Sequence, residues 1–218
     1  MNDYWTRLEL TNRRLPNHPC VYNYVSSKIN LIKKSIDFKL INNGLEIGCG
    51  NGHFTYQLQK LISNLIGIDV SLFMLGLCKK FFRSNLIRAT AIKLPFKDNS
   101  FDLVFSANIL HHVFNPSDII SEIRRITKEF YILIEPNRNN PLMSIFAIFN
   151  KYERLVLKYP LDFFKKLLLN QKFSIIDSFS TGIIAPNKLP TFLTPFFKSG
   201  DLKKLKFGLY NVIISKKN

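Results

Sequence analysis

The sequence predicts an α/β fold: a doubly wound, mostly parallel sheet of seven strands with helices on both faces. Two observations predict it. Short apolar runs alternate with stretches of helical periodicity from Leu40 to about Asn137. The first of those runs ends in Gly48-Cys49-Gly50-Asn51-Gly52, a glycine turn between strand and helix where a ligand can approach bare backbone.

The elements follow in order. Residues 1–39 read as an N-terminal helical cover, with Pro19 opening a helix over Val21 to Ile36 that places Val21, Val25, Ile29 and Ile32 on one face. Leu45-Glu46-Ile47 is the first strand and His53 to Ile62 a helix. Leu65 to Ile68 is the second strand, and Ser71 caps a helix from Leu72 to Phe82. Leu86 to Ala89 is the third strand, Phe101 to Phe105 the fourth, Pro116 to Ile126 a helix and Phe130 to Ile134 the fifth strand. Residues 40–137 thus form a ligand-binding half, because open parallel sheets bind beyond the carboxyl ends of their strands. Residues 138–218 form a second half of different character. It holds helices over Pro141 to Tyr159 and Asp162 to Leu169, two last strands at Phe173 to Phe179 and Tyr210 to Ser215, and a lid-like loop at 182–200.

At 218 residues and 46% hydrophobic, the chain has enough apolar material for one folded domain. The N-terminus lacks the apolar core of a secretory leader. The apolar stretch Leu61 to Phe82 is broken by Asn64, Asp69 and two glycines, so it reads as strand, loop and helix rather than a membrane span. Cys20, Cys49 and Cys78 form no CxxC pair, which points away from a metal site or a disulfide framework and toward a reducing, cytoplasmic setting. The net charge of +16 is spread along the chain in pairs such as Lys33-Lys34 and Lys203-Lys204. Clusters rather than totals mark polyanion sites, so a solvated surface is favoured over nucleic acid.

Four stretches carry chemistry. They are Glu46-Ile47-Gly48-Cys49-Gly50-Asn51-Gly52; Gly67-Ile68-Asp69-Val70-Ser71; Leu94 to Val104 continuing to Asn108-Ile109-Leu110-His111-His112-Val113; and Ile134-Glu135-Pro136-Asn137. In order and spacing they resemble the class I S-adenosylmethionine-dependent methyltransferases, in particular the type 11 group, over about Leu40 to Asn137. The resemblance implies a Rossmann-like domain, S-adenosylmethionine as cofactor, and methyl transfer to an oxygen, nitrogen or carbon nucleophile. It implies that Glu46, Gly48, Cys49, Gly50 and Gly52 seat the methionine end, that Asp69 with Val70 takes the ribose, and that Asn108 stands near the cofactor. A carboxylate beside the loop would repel a pyrophosphate but suits ammonium and sulfonium charges. Where the family usually has an acid for the adenine amino group this chain has Thr90; its hydroxyl can still accept a bond, with Ala91 and Ile92 as neighbouring contacts.

His111 is a candidate general base for an oxygen nucleophile. A base is not obligatory, because methyl transfer depends above all on alignment. The expected acceptor is a small or lipid-like molecule. After the fourth strand stands Ser106-Ala107-Asn108-Ile109 and not the Asn-Pro-Pro-Tyr or Asp-Pro-Pro-Tyr of enzymes that methylate nucleobase amino groups, which lowers nucleic acid as a partner. Phe192, Phe196 and Phe197 in loop 182–200 suit a cover over a hydrophobic acceptor, a contact with a membrane surface, or an aromatic loop folded inward. Two other readings are a binding module that keeps the cofactor pocket without turnover, and a nicotinamide-dependent oxidoreductase, against which the absence of GxGxxG argues.

Overall fold

The computed structural model describes residues 14–82, 85–183, 187, 190–193 and 203–218. Tyr4 and Trp5, and most of loop 182–200 including Phe196 and Phe197, lie outside the described residues.

Strands β1 (Asn43–Ile47), β2 (Asn64–Asp69), β3 (Asn85–Arg88), β4 (Phe101–Ala107), β5 (Thr127–Pro136), β6 (Phe173–Thr181), β7 (Lys204–Leu205) and β8 (Tyr210–Lys217) form one sheet in the order β3-β2-β1-β4-β5-β8-β6-β7. The first five run parallel; β8 enters antiparallel between β5 and β6, and β7 pairs antiparallel with β6. All seven strands expected from the sequence are present. The eighth, β7, is two residues long, too short to leave a periodic signal.

The central strands β1, β4, β5 and β8 are buried on both faces, so successive residues enter different cores. Along β5, Ile132 and Ile134 join one core while Tyr131 and Leu133 join the other; in β8, Val212 and Ile214 part from Ile213 in the same way. Helices α1 (Pro19–Ile32), α2 (Thr55–Leu58) and α3 (Leu72–Lys79) cover the first face, and α4 (Ser117–Ile126) and α6 (Leu161–Asn170) the second. Helix α5 (Pro141–Phe149) lies between them in sequence. In α4 the buried residues Ile119, Ile120, Ile123 and Ile126 make one stripe; cutting Ile123 to alanine would cost roughly 2–5 kcal/mol.

Helix limits follow local chemistry. Helix α1 starts where the His18 ring accepts from the Cys20 amide with Pro19 in the first turn, and α3 starts where Ser71 Oγ accepts from Met74 N–H. The long helix expected over Pro141 to Tyr159 instead breaks after Phe149. Asn150 is extended and its Oδ1 accepts from the Tyr152 amide, a local bond that competes with helix continuation; a 3-10 turn follows at Arg154–Lys158. The helix expected over His53 to Ile62 is reduced to α2 between turns, its N-cap Phe54 offering no side-chain acceptor.

Two networks hold the sheet's approach to the site. Arg125 donates to the carbonyls of Leu94 and Phe96 and pairs with Glu122 and Asp98, pinning the segment that feeds β4. Asp102 accepts the Asn42 and Asn43 amides and meets Lys128, fixing the start of β1.

Candidate cofactor and acceptor site

The glycine loop leaves β1 with the Cys49 amide bonded to the Ile68 carbonyl at 2.9 Å. Gly48 has φ +69°, and a Cβ there would stand 2.3 Å from Ile109 Cγ2, so both conformation and contact demand glycine. Gly50 has φ +54° with open space around it, the nearest atom to a Cβ being Met74 Cε at 3.9 Å. The Gly50 amide donates to Asp69 Oδ2 and the Ser71 amide to Asp69 Oδ1, each at 2.9 Å. Asp69 thereby ties the loop to the end of β2 as it caps the chain's entry into α3.

Glu46 stands in β1 between Gly67 of β2 and Phe105 of β4 and is 3% exposed. Thr55 Oγ1 donates to its Oε2 at 2.5 Å. Burial pushes its carboxyl well above the usual range; the Thr55 bond opposes this, while Cys78 and Asp69 add to it. Among the described residues no cation pairs with it. Asn108 follows β4 in the left-handed region at φ 59°, its amide bonded to the Ile134 carbonyl at 2.8 Å. Its side-chain oxygen is buried and accepts no bond among the described residues. The next residue, Ile109, packs its side chain against Gly48 of the loop. The donor set is therefore acid and acceptor without a cation, which fits a ligand with an ammonium and a sulfonium.

Cys49 and Cys78, far apart in sequence, are brought close enough for their thiols to influence each other. The neighbouring thiol, with burial, pushes the Cys49 thiol up, while Cys78 is lowered. Neither they nor Cys20 form a disulfide, and all three are buried. Thr90, Ile92 and Val70 are exposed near the ends of β2 and β3, with Ala91 half-buried. Thr90 Oγ1 accepts a long 3.4 Å bond from the Ile92 amide, and the Val70 carbonyl accepts from Arg88 at 3.1 Å.

The turn after β4 is built around Glu135 at the end of β5. Its Oε1 accepts the Ile109 and Leu110 amides at 3.1 and 2.8 Å, and its Oε2 meets the His111 amide and, at 2.5 Å, His111 Nδ1. The other ring nitrogen, Nε2, meets Glu153 Oε2 at 3.1 Å. Burial alone would lower the His111 pKa, but Glu135 and then Glu153 outweigh it and raise it to about 9. Both ring nitrogens of the candidate base are thus engaged with carboxylates, which favour its charged form. His112 packs against it, ring centroids 3.9 Å apart. His111, His112 and Glu153 each offer an atom within 4.8 Å of the others, a grouping that could hold a metal ion; the His111 proton already supplies positive charge between the carboxylates. Glu153 and Thr55 were not singled out from sequence.

A family model described as a methyltransferase domain matches residues 45–132. An uncharacterized protein of Methanocaldococcus jannaschii is 32% identical over 188 residues, covering 84% of this chain and 80% of that one. The chain belongs to the type 11 group of class I S-adenosylmethionine-dependent methyltransferases. The family's cofactor is S-adenosylmethionine, in keeping with the uncompensated acid of the cleft. Demethylmenaquinone methyltransferase of Staphylococcus haemolyticus is 26% identical over 148 residues, covering 65% of this chain and 61% of that protein. The fold of this methyltransferase is shared by an S-adenosylmethionine-dependent methyltransferase of Thermotoga maritima, with TM-score 0.66 and 21% identity over 90% of this chain and 91% of that one. Among the described residues no helix is long and apolar enough to cross a membrane.

Proposed function

We propose that this methyltransferase acts on an oxygen, nitrogen or carbon nucleophile of a small-molecule or lipid-like acceptor. The observation that carries the cofactor part of the reading is buried Glu46 two residues before the glycine turn, with no cation paired to it among the described residues, together with the buried Asn108 oxygen that accepts no bond among them. In this reading Glu46, Gly48, Cys49, Gly50, Gly52 and Asn108 hold the methionine end, Asp69 and Val70 the ribose, and Thr90, Ala91 and Ile92 the adenine. Bound S-adenosylmethionine supplies a methyl group activated by its sulfonium. The protein's part is to exclude water and align, which can carry much of such a rate.

His111 serves as a positioning residue. Held as a cation between Glu135 and Glu153, it braces the turn that carries Asn108 and Ile109. Its proton is retained up to about pH 9, so kcat should show no inflection near 6.5; a rate rising through that pH would restore it as a base.

The acceptor class is supported by the aromatic residues after Asn137, by the absence of a nucleobase-type motif after β4, and by relatives such as the demethylmenaquinone methyltransferase. No observation favours a binding module without turnover. The test is an acceptor screen with methyl-labelled cofactor against quinones lacking a ring methyl, other small molecules, and total RNA. Label in an organic-soluble or small-molecule fraction is expected. Label confined to RNA, or none anywhere from protein that binds the cofactor, would overturn the reading.

A further inference from the structure

Helix α5 carries its apolar stripe on the wrong side for a helix of a buried core. Leu142, Ile145, Phe146 and Phe149 fall at the i, i+3, i+4, i+7 spacing of one helix face, yet they are 71%, 52%, 44% and 86% exposed. The side turned to the protein is served by buried Ala147, with half-buried Met143 packed on the core. A contiguous outward apolar face of this kind marks a site of contact.

The charges around it say with what. From Arg138 to Lys158 the cations Arg138, Lys151, Arg154 and Lys158 are all exposed. The one acid in that stretch, Glu153, is turned inward onto His111. Phe146, Phe149 and Tyr152 share an open groove of about 550 Å³ with Lys151 and Arg154, so apolar and cationic chemistry face the same space. A second copy of this chain would bring like charges together. A nucleic-acid backbone would use the cations and leave the apolar stripe in water. The acyl–headgroup boundary of an anionic bilayer takes both at once. At nine residues, about 14 Å, α5 is too short to span a hydrocarbon core of about 30 Å.

We infer that the outward face of α5, with Lys151 and Arg154, docks this methyltransferase on the surface of an anionic lipid bilayer. The contact lies beyond the catalytic reading and does not depend on the acceptor's identity. It is read without turnover, so either can fail while the other stands.

The experiment is co-sedimentation of the full chain with vesicles of phosphatidylglycerol and phosphatidylcholine, and of phosphatidylcholine alone, at low and high salt. The protein should pellet with the anionic vesicles at low salt and largely stay in solution with the zwitterionic ones. Lys151→Gln with Arg154→Gln should weaken binding about fivefold for each cation removed. Ile145→Ser with Phe149→Ser should reduce it at least tenfold while S-adenosylhomocysteine binding, read by calorimetry, persists. If the serine pair fails to fold, the glutamine pair decides. Failure of the unaltered protein to pellet, or equal binding to both vesicle types, would overturn the inference. So would light scattering that shows a dimer broken by the serine pair, since a second copy would then occupy the face.

Discussion

Two groups of buried titratable side chains stand at the carboxyl edge of the sheet, and they are balanced in opposite ways. At the glycine loop, Glu46 has a hydroxyl partner and no described cation, with Asp69 nearby to raise its pKa further. After β4, Glu135 and Glu153 share a cation that the protein supplies itself, His111. An ion buried without a partner is costly, whereas a hydrogen-bonded pair largely offsets its own desolvation. In the proposed reading a ligand completes the first group, whereas the second is completed by the fold.

The contrast can be broken from the balanced side first. His111→Leu leaves two carboxylates facing an apolar side chain and should cost about 3–5 kcal/mol in denaturant unfolding. Because the folded pKa of His111 is raised above 6.5 to about 9, its contribution is fully present below about pH 6.5 and is lost as pH rises through 9. Stability of the unaltered protein should fall across that window by roughly 3 kcal/mol, and His111→Gln should flatten the fall.

On the unbalanced side, Asp69→Ala removes the acceptor of the Gly50 and Ser71 amides and the proposed ribose contact. Charged hydrogen bonds contribute about 1.5–3 kcal/mol each, so calorimetry should show cofactor affinity at least about a hundredfold weaker. Glu46→Gln sharpens the comparison by moving two observables apart. The raised carboxyl loses stability as pH climbs above its unfolded value toward its folded one, so the neutral amide should raise Tm near neutrality. The same change should weaken S-adenosylmethionine about tenfold. A drop in both would mean that Glu46 is structural. The smallest effect is expected at exposed Thr90, where aspartate should tighten cofactor binding only about two- to fivefold, about the strength of one net hydrogen bond.

What could be read from sequence was what local chemistry dictates. The glycine loop, Asp69 and the cap at Ser71 are strand-end and turn features, each written within a few residues. Thr55 and Glu153 were not legible, because their roles arise from contacts nine and 42 positions away in the chain. His111 could be located, but its charge state depends on Glu135 and Glu153, which only the fold brings to its ring. A helix from Pro141 was legible; which way its apolar residues face is decided by the neighbours that pack against Met143 and Ala147. The break after Phe149 came from an Asn side chain competing with the helix, a signal that propensity alone does not weigh.

The central claim is that the cofactor's positive charge completes the acid cluster at the glycine loop. A cation arriving beside a protonated Glu46 should expel its proton, because an opposite charge favours the ionised form. Calorimetric titration with S-adenosylmethionine in two buffers of different ionisation heat, at a pH where Glu46 is protonated, measures this directly. The account predicts binding with release of up to one proton, a release that disappears in Glu46→Gln. Binding with no proton release, or the same release from the glutamine variant, would contradict it.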